Sequence, residues 1–118
     1  MPSKKTSAQA ELVITLQFDW DSENIEHFAK HQIAPSEAEQ VILNRPVDLE
    51  AELRNGEERV TQIGETDAGR ILIVVSTTQG KEVRVVTAWP AKERLRRYFQ
   101  TQKRNGNVGR TEKDDLRE

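Results

Sequence analysis

The chain has 118 residues, no cysteine and a net charge of −2. That length suits one small domain with a modest core, and the missing thiols exclude disulfides and thiolate metal sites. No apolar run approaches the ~20 residues of a membrane helix, and Leu12 to Leu16 is too short for a signal-peptide core of about 7–15 residues, so a cytoplasmic protein without membrane contact is expected.

Residues 1–11 are polar and read as a loose terminus, 12–104 as a single domain and 105–118 as a polar tail. From Leu12 to Phe18, apolar and mixed positions alternate, which predicts a strand with one greasy face. Asp21 or Ser22 suits a helix N-cap. Ile25, Phe28, Ala29 and Ile33 follow at amphipathic spacing. Pro35 fits the first turn of a second helix, whose stripe is Ala38, Val41 and Ile42, and Asn44-Arg45-Pro46 ends it.

Val47 to Leu53 alternates as a second strand. Asn55-Gly56 is a tight-turn signal, and Glu58 to Thr66 returns. Ile71-Leu72-Ile73-Val74-Val75 is apolar on both faces and predicts a central strand. Gln79-Gly80 turns into a fifth strand, Glu82 to Ala88. Pro90 then opens a basic helix with Ala91, Leu95, Tyr98 and Phe99 on its apolar side. The resulting order, β-α-α-β-β-β-β-α, predicts an α+β domain. Its strands form an antiparallel meander, with the helices covering one face.

Charge is unevenly spread. Residues 1–69 carry six Lys/Arg against fourteen Asp/Glu, and residues 70–118 carry twelve against six, so the halves stand at −8 and +6. A basic half can meet phosphates and an acidic half a basic partner. The sequence has no glycine-rich phosphate loop, paired-cysteine zinc motif or nucleophile elbow. Any chemistry must come from scattered His, Arg, Lys and Glu.

Several short motifs occur in a fixed order. Phe18-Asp19-Trp20-Asp21 precedes a helix carrying Lys30-His31. Glu58-Arg59 follows, with Gly64 five residues after the arginine. Val83-Arg84-Val85-Val86-Thr87-Ala88 then leads to Lys92-Glu93-Arg94-Leu95-Arg96-Arg97-Tyr98. This set resembles the BrnT family of ribonuclease toxins from type II toxin–antitoxin systems, over roughly Phe18 to Tyr98. The resemblance implies a RelE-like fold. It also implies metal-independent, cofactor-free endoribonuclease cleavage of cellular RNA that halts translation. The implied partner is a BrnA-like antitoxin, a ribbon-helix-helix protein that would make the contact with operator DNA.

The resemblance carries catalytic expectations to Lys30, His31, Glu58, Arg59 and Arg84. Histidine changes protonation near neutral pH, so His31 is the expected acid or base. Arg59 and Arg84, if they share a face, form a bidentate phosphate clamp. The plainer alternatives are an imidazole that complements a helix end and arginines that pair across strands with Glu50, Glu52, Glu58 or Glu82. RNA binding is expected from Arg94, Arg97 and Arg104, at helical spacing on the last helix, together with Trp89 as a base stacker.

Three positions depart from the family pattern. Gln32 stands where glycine is usual, His27 where asparagine is usual, and Trp89 where a second arginine is usual. Trp89 alternatively closes the core against the last helix. These departures leave a non-catalytic relative, acting as an interaction module, as the alternative function. A further alternative is a metal-binding helix, because Glu23, His27 and His31 recur every four residues.

Overall fold

The computed structural model describes residues 16–106. Its elements are β1 (Gln17–Asp19), α1 (Ser22–Lys30), α2 (Pro35–Leu43), β2 (Val47–Arg54), β3 (Glu57–Glu65), β4 (Ile71–Gln79), β5 (Glu82–Pro90) and α3 (Glu93–Arg104). They follow the expected order. The five strands form one sheet in the order β1-β5-β4-β3-β2. The doubly apolar run is its central strand, β4. Strands β2 to β5 are joined as an antiparallel meander. β1 adds a parallel edge beside β5, so the sheet is mixed. Of the first predicted strand, residues 12–15 and the loose N-terminus lie outside the described residues, as does the polar tail beyond 106.

Local sequence sets the turns. Asn55 and Gly56 both have positive φ, +52° and +82°, as a two-residue hairpin turn requires. The Asp21 side chain caps α1 by accepting from the Asn24 amide at 2.8 Å. Because β1 and β2 lie on opposite edges of the sheet, α1 and α2 must carry the chain across a face. They bury Phe28, Ile33, Ala38 and Val41 against Leu72, Val74, Val85 and Ala88.

The expectation that all helices cover one face is corrected. Ile63 and Ile73 point the other way and pack with Ala91 and Phe99, so α3 covers the opposite face. The alternation of β4 requires this, because both its faces are apolar and each needs a cover. Two apolar stripes are also narrower than expected. α1 buries Phe28 but leaves Ile25 and Ala29 exposed, and α3 buries Phe99 but leaves Tyr98 exposed.

At the end of α1 the Ile33 amide donates to the Phe28 carbonyl and the Gln32 amide to the Ala29 carbonyl. This is a Schellman motif, with Phe28 and Ile33 in its usual apolar contact. Gln32 takes the left-handed position at φ +58°. A non-glycine residue there costs roughly 1–2 kcal/mol. Gly64 has a different role: a Cβ would meet Pro46 and Val41 atoms at 3.0 Å. Its bare backbone is what lets β3 approach α2.

Gln32→Gly is expected to stabilise the protein by about 1 kcal/mol, which raises the melting midpoint by roughly 4–8 °C for a domain of this size. Gly64→Val is expected to lower stability by about 1–3 kcal/mol through overpacking. Thermal and urea melts of the two variants test both.

Candidate functional site

Residues paired across a sheet share a face, so register decides which charges meet. Asp19 pairs with Arg84, Arg84 with Thr77, Thr77 with Arg59 and Arg59 with Glu52. One row therefore reads Asp, Arg, Thr, Arg, Glu. By alternation along β4 it lies on the face of Ile73, the side that α3 covers further along. The two arginines flank Thr77 from strands about 10 Å apart.

Their surroundings differ. Arg84 donates to Asp21 at 3.1 Å and has Asp19 at 4.0 Å, with its side chain half exposed. Arg59 is half-buried, and its Nε is buried without a hydrogen-bond partner. Glu52 sits opposite Arg59 in register but turns to Arg54 at 3.5 Å. Beside the row lies a cavity of about 200 Å³ lined by Asp19, Glu57, Thr77, Gln79, Glu82 and Arg84. Gln79 donates to Glu57 at 2.7 Å. Among the described residues Glu82 has no such partner. The cavity thus holds one guanidinium, Arg84, among the carboxylates of Asp19, Glu57 and Glu82, with Arg59 on the far side of Thr77.

The other expected catalytic residues lie elsewhere. Glu58 pairs with Leu53 and directly precedes Arg59, so it faces the opposite side of the sheet. Lys30 and His31 end α1, whose Phe28 packs on that opposite side. The helix runs along the part of β5 that β1 leaves unpaired. Asn24 donates to the Val85 carbonyl at 2.8 Å, and His27 shares a hydrogen bond with the Thr87 hydroxyl at 3.0 Å. His31 is ten residues beyond Asp21, roughly 15 Å along the helix. The structure thus puts Arg59 and Arg84 on one face, on either side of Thr77, and sets His31 apart from them.

His27 and His31 meet edge to face with centroids 4.9 Å apart. Among the described residues no group of three such side chains, the alternative set of Glu23, His27 and His31 included, is arranged to hold a metal ion. His27 reaches β5 instead, which takes one ligand out of the set.

Arg94, Arg97 and Arg104 are all exposed on α3. Arg97 pairs with Glu93 one turn away. Lys103 turns inward to the buried Glu65 carboxylate, at 2.9 and 2.8 Å from its two oxygens. Glu65 Oε2 lacks hydrogen-bond geometry, yet its charge is matched by this ion pair. Lys103 therefore fastens α3 to β3. Trp89 pairs with Ile73 on the face that α3 covers and is 37% exposed, so it does not close the core.

A second cavity, of about 560 Å³, opens between the turn before β4 and the start of α3. Its walls include Arg70, Arg96 and Arg97. Arg70 donates to Glu37 at 3.0 Å and to the Gln32 carbonyl at 2.9 Å, beside His31. Sequence reasoning missed Asp19, Asp21, Thr77, Glu82, Arg70 and Glu65 as contributors. The alternation of β5 put Glu82 beside Arg84 and was a usable signal; Asp19 and Thr77 depend on strand register, and Asp21, Arg70 and Glu65 on packing between elements.

With this geometry in hand, comparison with known families is informative. A family model described as the ribonuclease toxin BrnT of type II toxin–antitoxin systems matches residues 20–94, more than half of the chain. No curated protein matches it in sequence. The matched stretch contains both arginines of the row, Lys30-His31 and Trp89.

Lys103→Met leaves Glu65 buried and unpaired, and is expected to cost about 3 kcal/mol. Adding Glu65→Leu is expected to recover most of the loss. Urea melts of the single and double variants test the clip.

Proposed function

The chain belongs to the BrnT family of ribonuclease toxins from type II toxin–antitoxin systems, and on that premise we propose that it halts translation by cutting RNA at the arginine row. One observation carries this reading: Arg59 and Arg84 flank Thr77 on one face beside a carboxylate-lined cavity.

The chemistry follows from what RNA already contains. The ribose 2′-oxygen attacks the adjacent phosphorus, the bond to the 5′-oxygen breaks, and a 2′,3′-cyclic phosphate and a 5′-hydroxyl result. Arg59 and Arg84 hold the phosphate and stabilise the crowded dianion, where preorganised cations are worth several kcal/mol. Glu82 takes the 2′-hydroxyl proton, since it lies on the face of Arg84 and is unpaired among the described residues. The leaving 5′-oxygen takes its proton from water. These groups perform the reaction with no metal. Lys30 and His31, at the far end of α1, act on flanking RNA, as do Arg94, Arg97, Arg104 and Trp89.

A type II toxin works against an antitoxin. We take that partner to be a BrnA-like ribbon-helix-helix protein that contacts operator DNA, with the pair acting in the cytoplasm. No helix among the described residues is long and apolar enough to cross a membrane.

A second reading has its own support. Asp19 and Asp21 already occupy Arg84, and Trp89 replaces an arginine of the family pattern. Both favour a non-catalytic relative that keeps only the interaction surface.

Induced expression with and without the antitoxin, followed by mapping of RNA ends, separates the two readings. Growth arrest with cyclic phosphate ends is expected, unchanged in purified protein by chelator. Glu82→Gln should lower cleavage by roughly 10²–10⁴-fold. His31→Ala should lose much less. The reverse ranking would move the base to His31, and an inert wild-type protein would establish the non-catalytic reading.

A further inference from the structure

The 560 Å³ cavity lies within the range of small-ligand sites, roughly 300–1,000 Å³, and of its lining the ribonucleolytic reading uses Arg97 alone. Its apolar lining includes Ile71 and Pro90, and its polar lining is Arg70, Glu93, Arg96, Arg97 and Gln100. An apolar surface suits the face of a base, an amide suits a base edge, and guanidinium groups suit a phosphate.

The charges do not cancel. Arg97 is matched by Glu93, and Arg70 by Glu37. Arg96 has no acidic partner among the described residues and supplies the uncompensated charge. Arg70 spends only Nη1 on Glu37 and the Gln32 carbonyl. Arg97 spends only Nη2 on Glu93. Donors therefore remain on all three guanidinium groups.

Position links the cavity to the arginine row. Ile71 lines one cavity and Thr77 the other, and both belong to β4 on the same face. Six residues of strand separate them by roughly 20 Å. Trp89 sits between, paired with Ile73 on that face and exposed. The order along β5 is therefore cleft, exposed indole, arginine row.

We propose that this cleft is a remote nucleotide subsite of the RNA track, seating one nucleotide of the strand whose scissile phosphate lies at Arg59 and Arg84. Arg96 takes the phosphate of that nucleotide, the base lies on Ile71 and Pro90, and Trp89 stacks a base on the way. The proposal rests on the ribonuclease reading and adds a length requirement to it. A dinucleotide occupies the arginine row alone, whereas a longer strand gains the remote contact.

The test uses 2′-O-methyl RNA, which lacks the nucleophile and so binds without being cut, with dinucleotide and octanucleotide titrated against wild-type protein and Arg96→Glu. Arg96 is exposed and unpaired, so the variant should melt like wild type. It should bind the octanucleotide about tenfold more weakly, with a salt slope lower by about one, and the dinucleotide unchanged. Gln100→Ala should weaken the octanucleotide alone. An equal loss for both lengths, or no loss for either, overturns the remote subsite and leaves the arginine row intact. Adenosine 5′-monophosphate binding more tightly than the octanucleotide, and lost in Arg96→Glu, overturns it in favour of a free-nucleotide site. Wild-type protein that binds no octanucleotide overturns the subsite and the RNA reading together, and is recognised before any substitution is made.

Discussion

β1 is three residues long and pairs only with the first three residues of β5. The rest of that outer edge is left for α1, and this decides where the charged side chains go. Asp21 closes the strand-to-helix corner by capping α1 with one oxygen and holding Arg84 with the other. The helix then follows β5, through Asn24 to the Val85 carbonyl and His27 to the Thr87 hydroxyl. A longer β1 would satisfy that edge with its own backbone and displace the helix. Lys30 and His31 come to rest roughly 15 Å from Asp21, at the opposite end of α1.

The same end is fixed independently by Arg70. Its guanidinium holds Glu37, whose carboxylate also accepts from the Ala34 amide at the start of α2, and it reaches the Gln32 carbonyl at the end of α1. One side chain from the β3–β4 turn thereby ties down the corner between the two helices. The opposite face is secured by Phe99 and by the Lys103–Glu65 pair. With both faces of β4 covered, what remains open is the far end of the α3 face, where the arginine row lies.

That row is electrostatically balanced rather than simply positive. Arg84 is shared between two carboxylates, while Arg59 keeps a buried, unsatisfied nitrogen. A half-exposed ion pair is worth roughly 0–1 kcal/mol, so a phosphate can replace the carboxylates at small cost. Anion binding is thus resisted only weakly from the Arg84 side. Among the described residues charge is also segregated in space. The acidic β2–β3 hairpin projects on one side, and the basic α3 borders the large cleft on another.

The sequence by itself determined the order of elements, because periodicity, the Asp21 cap, the Asn55-Gly56 turn and the two-faced run of β4 are local properties of neighbouring residues. It also contained the family motifs, and the alternation that sets Arg84 and Glu82 on one face. Other features were decided only by the tertiary structure. Register across the longer β3–β4 turn put Thr77 opposite Arg59, which no tight turn specifies, whereas the two-residue turns already set Glu52 opposite Arg59 and Thr77 opposite Arg84. The path of α1 separated His31 from the arginines, because ten residues of helix span more distance than an arginine reaches. The second apolar face of β4 placed α3 opposite the other helices and left Trp89 exposed. The cleft around Arg96 exists because two segments distant in sequence, 69–71 and 90–100, meet there, and such a meeting is a property of packing.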